Sequence, residues 1–341
     1  MAPLAMTGFV GYAGTALGAL VAAALMVLLL YIAYGLSRAL LPRGQGAIRI
    51  SAAIVAALWA SMSAFHLLRL MGQFHALAAL GLGAAAAAAS WASGYTLSRW
   101  KADFGRDTAW ARRSARALYG RNGRWFAIPL TAAAAVMGVR TLLLPLMGWD
   151  SMTYHGVKAG LWVQGSEPLA LVTPGGWGFY YRTFFGGSES LLAWAMLPFH
   201  SDLLASAVDA AQWLLLGLAA LAVARELGVR SGLAWGAAAY ILFIPTPFLS
   251  VGTGYVENVL NLALLGGLLF AMRFARTGEA GSLVLAFMAL GCAGGIKITG
   301  LPVGGLIAGM LAGVILFRRE RRGRALAFFG AGLLAAGAIL L

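Results

Sequence analysis

Apolar runs of about 20 residues, the length a helix needs to cross the hydrocarbon core of a bilayer, recur along the whole of this 341-residue chain. Ten can be marked, at 8–36, 50–71, 74–97, 125–147, 203–224, 231–249, 255–275, 281–296, 300–317 and 325–341. They leave room for only one sizeable segment outside the membrane. Composition points the same way. Hydrophobic residues make up 61% of the chain and charged ones 11%, with a mean hydropathy of +0.83, too apolar for water to solvate in a domain of this size. The expected fold class is an all-α polytopic membrane protein of about ten transmembrane helices, and a soluble enzyme with a separate catalytic domain is excluded. The first run is far longer than a signal-peptide core of about 7–15 residues and should persist as a helix.

Basic residues set the expected orientation, because Lys and Arg flanks resist translocation while acidic ones matter little. Three lie in 37–49 (Arg38, Arg43, Arg49), eight in 98–124, two in 225–230, two in 273–280 and five in 318–324, which is 20 of the 25 in alternate connections. Those connections belong on the cytoplasmic side of an inner or plasma membrane, so the segment 148–202 belongs on the other face. The formal charge of +14 is accounted for by this partition, and it calls for no nucleic acid. Cys292 is the one cysteine, which excludes a disulfide framework and a cysteine metal cluster. In sequence the chain divides into a three-helix membrane segment (1–97), a basic cytoplasmic loop (98–124) and a region 125–341 that includes the long outer loop 148–202.

A connection of that length calls for a function, since loops in compact folds are mostly under about 12–15 residues. It opens with Trp149-Asp150-Ser-Met-Thr-Tyr154-His155 and passes through the aromatic stretch Trp177 to Phe185, which contains Arg182. Aromatic residues suit sugar rings and polyprenyl chains, and equally the headgroup level of a membrane. The apolar segment Leu191 to Phe199 is too short to span and is expected as an amphipathic helix in the interface.

Ionisable residues at membrane depth are costly, so each is a functional candidate. Asp150 ends the fourth run and Glu257, in Gly254-Tyr-Val-Glu-Asn258, starts the seventh on the same face. Either carboxylate suits a general base or, together, a divalent cation; both also suit ordinary helix ends, Glu257 being favoured by a helix dipole. Lys297, in Gly294-Gly-Ile-Lys-Ile-Thr-Gly300, joins the eighth and ninth runs on that face against the positive-inside tendency. Flanking glycines there would admit a phosphate to the backbone and the ammonium would offset its charge; the alternative is a lysine snorkelling at a helix end. Arg140 and Asp209 lie at similar depth, and the expectation is an ion pair, with a lipid-phosphate contact from Arg140 as the second reading. His155 suits a ligand, a proton shuttle or a plain hydrogen bond. The remaining histidines have no metal-binding spacing, and no metal site is assigned.

Three of these strings together resemble the GT-C superfamily of polyprenyl-phosphate-dependent glycosyltransferases, particularly bacterial members related to protein O-mannosyltransferases and lipid A aminoarabinose transferases. Trp149-Asp150-Ser-Met-Thr-Tyr154-His155 is similar to the Asp-containing start of that family's first periplasmic loop. Tyr255-Val-Glu257-Asn is similar to its acidic second loop, and Gly294 to Gly300 with Lys297 to a later Gly-rich segment. The resemblance covers 125–341 and implies a seven-helix core. By it, Asp150 would be the base that deprotonates an acceptor hydroxyl, Glu257 would support the acceptor or a bound cation, and Lys297 would bind the lipid phosphate. Tyr154, His155, Arg182 and Arg140 would complete the substrate site. The implied reaction is inverting transfer of a sugar from a polyprenyl-phosphate donor to a glycan, lipid or protein hydroxyl on the non-cytoplasmic face. Two other classes fit the residues: a solute or lipid transporter, to which Pro245-Thr-Pro247 and Asp209 would suit a broken helix with an intramembrane charge, and a non-catalytic membrane scaffold.

Overall fold

The computed structural model describes residues 4–120, 124–165, 185–317 and 322–340. Among them every regular element is helical. In chain order these are α1 (Leu4–Leu40), α2 (Gly46–Leu70), α3 (Ala76–Ala92), α4 (Leu97–Leu118), α5 (Arg124–Leu143), a π-helical turn (Ser151–His155) running into α6 (Gly156–Val163), α7 (Gly187–Met196), α8 (Ala205–Glu226), α9 (Ser231–Phe243), α10 (Pro245–Leu249), α11 (Glu257–Thr277), α12 (Ala280–Ile296), α13 (Gly300–Phe317) and α14 (Arg322–Leu340).

Each of the ten apolar runs is helical over most of its length. Six, within α1, α2, α5, α8, α11 and α13, are long and apolar enough to cross a membrane, and α3 with α4 makes a seventh if that bent pair is one span. The protein is a multi-pass helical membrane protein. The run 231–249 is not one helix. Ile244 takes an extended conformation (φ −56°, ψ 134°) because the ring of Pro245 disfavours the helical region for the residue before it, and the chain restarts as α10.

Lipid tails are as apolar as leucine, so helices in a bilayer associate through close packing and hydrogen bonds. Helix α12 lies at the centre, buried from Ser282 to Ile296 except for Val284, and packs against α2, α11, α13 and α14. Small residues permit the approach: a Cβ on Gly291 would lie 2.6 Å from the Ala336 backbone. Cys292 is fully buried there and serves as a small packing residue. The Trp59 indole donates to the Ala335 carbonyl of α14 (2.7 Å) and the Trp213 indole to Leu242 of α9 (2.9 Å). Residues 1–97 are distinct in sequence, but in packing α1 and α2 share one apolar core with α11 and α12 through Ala33, Val55, Phe270 and Leu283.

Two parts of the sequence reading are corrected. The basic segment 98–124 is not a loop, since α4 occupies 97–118. The apolar segment Leu191 to Phe199 is not an exposed amphipathic helix: no residue of α7 is exposed, and the Trp194 indole donates to the Ser61 carbonyl of α2 (2.9 Å). Helix α7 packs against α2, α6, α8 and α12.

Charges sort to the two ends of the bundle. Where α2 begins, Arg49 donates to Asp107 (2.9 Å) and lies 3.5 Å from Asp103, both on α4. Where α8 and α11 end, Arg276 pairs with Glu226 (2.7 Å) and Arg273 with Glu279 (3.2 Å). Asp150, Glu257 and Lys297 lie at the opposite end.

Candidate active site

The break at Ile244 shapes this end. After α10 the chain turns through Gly252 and Gly254, both with positive φ (75° and 73°), a conformation that favours glycine. Asp209, buried in the first turns of α8, accepts the Gly254 amide (2.6 Å) and also bonds the amides of Gly252 and Thr253. The Asn258 amide donates to the Pro247 carbonyl (3.1 Å). The turn is thereby fixed just ahead of Glu257, the first residue of α11.

The same turn anchors the approach to Asp150. The Met147 and Gly148 amides donate to the Gly252 and Thr253 carbonyls (3.4 and 3.2 Å), and a Cβ on Gly148 would collide with the Thr253 carbonyl and the Tyr255 ring. Asp150 immediately precedes the π-helical turn, a local widening of the helix that frequently marks functional sites. The Tyr154 hydroxyl hydrogen-bonds the Asp150 carboxylate. Burial, that bond and the negative charges of Asp150, Glu189 and Glu257 push the Tyr154 phenol well above its ordinary value, so at neutral pH it remains a donor.

Lys297 ends α12 in extended conformation, and its Nζ donates to Glu257 Oε1 at 2.8 Å. Both side chains are partly accessible, at 42% and 29%. An ammonium group has three donors, so one bond to Glu257 leaves capacity for an anion. The flanking glycines have another use than the one expected from sequence. Gly294 and Gly295 are buried inside α12 and Gly300 starts α13; Cβ atoms on Gly295 and Gly300 would meet Ile339 and the Ala293 carbonyl. They permit helix packing and do not open the backbone to a phosphate.

His155 Nδ1 lies 2.9 Å from Glu189 Oε1, with both side chains buried, and its ring centroid is 4.2 Å from that of Tyr154. Sequence reading missed Glu189. Its one signal is an acid between two serines just before an apolar run, which becomes the first turn of α7. That turn abuts α12, since a Cβ on Gly187 would strike the Gly295 carbonyl. Glu189 Oε2 has no hydrogen-bond partner among the described residues. Lys158 is also buried here, its ammonium 5.2 Å from the Trp162 ring centroid; burial and the nearby charge of Arg69 lower its pKa, opposed by Glu189.

A cavity of about 290 Å³ opens beside the π-helical turn, lined by Ser151, Gly156, Gln164, Met196, His200 and Asp202 among others. Its size lies near the lower bound for small-molecule sites of about 300–1,000 Å³.

Other expectations fare differently. Arg140 and Asp209 form no ion pair: Asp209 is engaged by backbone amides, while Arg140 lies beside the same turn, its Nε 3.8 Å from where a Gly252 Cβ would be. Arg182 and residues 177–184 of the aromatic stretch lie outside the described residues. Glu257, one of the two carboxylates considered for a divalent cation, is paired with Lys297, and among the described residues no group of three or more His, Cys, Asp or Glu gathers to hold a metal ion. Comparison of the chain with protein-family models, curated proteins and solved structures gives no match in any of the three.

Proposed function

We propose that this chain is an integral membrane glycosyltransferase that moves a sugar from a polyprenyl-phosphate donor to an acceptor hydroxyl at the end of the bundle holding Asp150, Glu257 and Lys297. The observation that carries the reading is the convergence of three separate sequence strings. Lys297 meets Glu257 across 40 residues of chain, while Tyr154 is bonded to Asp150 and feels the charge of Glu257. The similarity of these strings to the GT-C superfamily supplies the reaction class. In this reading the bundle has a GT-C-like seven-helix core within ten crossings, and the site faces away from the cytoplasm, as the partition of basic residues implies.

The acceptor oxygen attacks the anomeric carbon as the bond from that carbon to the phosphate oxygen breaks. Asp150 takes the hydroxyl proton, the polyprenyl phosphate leaves with the bonding pair, and in-line displacement inverts the centre. Tyr154 holds the Asp150 carboxylate in place. Lys297 offsets the charge that grows on the departing phosphate, which requires it to share its donors between Glu257 and the lipid. The cavity beside Ser151 is lined by neither Asp150, Glu257 nor Lys297, and no acceptor is assigned to it.

A solute or lipid transporter is the second reading, favoured by the break between α9 and α10. Against it, Asp209 is engaged by backbone amides, which leaves it poorly suited to carry an ion. Purified protein in vesicles with a polyprenyl-phosphate hexose or pentose and a hydroxyl acceptor tests the proposal. Release of polyprenyl phosphate together with a glycosylated product supports it. No product with any such donor, combined with solute or lipid flux across the vesicle, favours the transporter.

A further inference from the structure

Helix α4 carries six cations, and the helix sorts its residues. Asp103 and Asp107 face inward, 2–3% exposed, together with the part-buried Trp100 and Trp110. Arg99, Lys101, Arg106, Arg112, Arg113 and Arg116 all face outward. A third strip lies between. Leu97, Phe104, Ala111 and Ala115, spaced by seven, seven and four residues, fall on one line of a helix and are exposed, Leu97 and Phe104 by 45% and 44%. Beside that line run Lys101, Arg112 and Arg116.

The roll and tilt of α4 are fixed. Arg49 holds both inward carboxylates, the Tyr95 hydroxyl donates to Asp103 (3.3 Å), and the Tyr119 hydroxyl bonds Thr131 of α5. Helix α4 meets α3 at 95°, so with α3 in the bilayer it lies along the membrane surface. Trp125 and Phe126, exposed by 72% and 49% at the start of α5, add aromatic residues of the kind that anchor at headgroup level. A merely solvated basic helix needs no exposed apolar line; a helix with one face on its protein, an apolar line and a basic line matches the boundary between acyl chains and headgroups.

We propose that the outward face of α4 binds anionic lipid headgroups, its apolar line resting at the acyl edge and Lys101, Arg112 and Arg116 contacting lipid phosphates. The proposal rests on the chain's lying in a bilayer and is independent of sugar transfer. Each basic residue near an anionic surface contributes roughly fivefold in binding when salt is low.

The test is native mass spectrometry of the full chain in detergent, titrated with phosphatidylglycerol or phosphatidylcholine. Wild type should retain phosphatidylglycerol at least about tenfold better at low salt, with the preference shrinking as salt rises. The double variant Arg112→Gln/Arg116→Gln should lose most of that preference, whereas Arg43→Gln/Arg230→Gln, which removes the same charge from other exposed positions, should retain it. All four side chains are exposed, so folding is unaffected. Equal retention of the two lipids by wild type, or equal losses in the two double variants, overturns the proposal.

Discussion

The two ends of the bundle both gather ionisable groups, and they differ in how far those groups satisfy one another. Around Arg49, its guanidinium serves two carboxylates, all with side-chain exposures of 3–5%, while Arg106 from the exposed side and the Tyr95 hydroxyl also bond Asp103. At the opposite end, Glu257 and Lys297 pair while part-exposed, and Ser151 Oγ and Glu189 Oε2 are buried without hydrogen-bond partners among the described residues. The carboxylates around Arg49 are taken up by guanidinium groups, and the cluster acts as a clamp. An open one has spare donors and acceptors, at a cost in stability that function can justify.

That contrast predicts opposite phenotypes. Asp150→Asn should reduce sugar transfer by about 10²–10⁴ with little change in melting temperature, because the amide keeps the shape and loses the basicity. Near-normal transfer would move the role of base to Glu257 or His155. Arg49→Met should do the reverse, lowering stability in detergent by about 3–5 kcal/mol, since buried Asp107 loses its guanidinium while Asp103 keeps Arg106. A melting temperature unchanged by Arg49→Met would break the comparison at its closed end. Glu189→Gln should cost roughly tenfold in transfer, less than loss of the base, because it releases the orientation of His155; nitrogen NMR of the imidazole should report an altered ring environment. Smallest is the stability effect of Lys297→Ala, within about 1 kcal/mol, as expected for an accessible ion pair.

Hydropathy made the ten apolar runs legible because burial in lipid acts on composition alone. It did not reveal α4. There the helical period is carried by alanines and arginines, which read as a charged loop until Asp103 and Asp107 are seen to face Arg49. The break at Ile244 was written in Pro245. The partner of Asp209 was not legible, because depth along a helix says nothing about azimuth, and the carboxylate turned toward backbone amides and away from Arg140. Glycines at 294–300 were assigned to phosphate approach, but Ile339 and the Ala293 carbonyl, far away or unremarkable in sequence, occupy that space. Glu189 was invisible for the same reason: its meaning depends on His155, and only the fold of α6 against α7 joins them.

The central claim is that the open end binds a lipid phosphate through Lys297, and its most direct test is the dissociation constant of a polyprenyl phosphate for the purified protein and for Lys297→Ala. Loss of a charge-assisted contact worth about 1.5–3 kcal/mol predicts binding weakened about 10- to 100-fold, with the fold intact. Equal affinity of the two proteins, or no saturable binding by the wild type, would contradict the account.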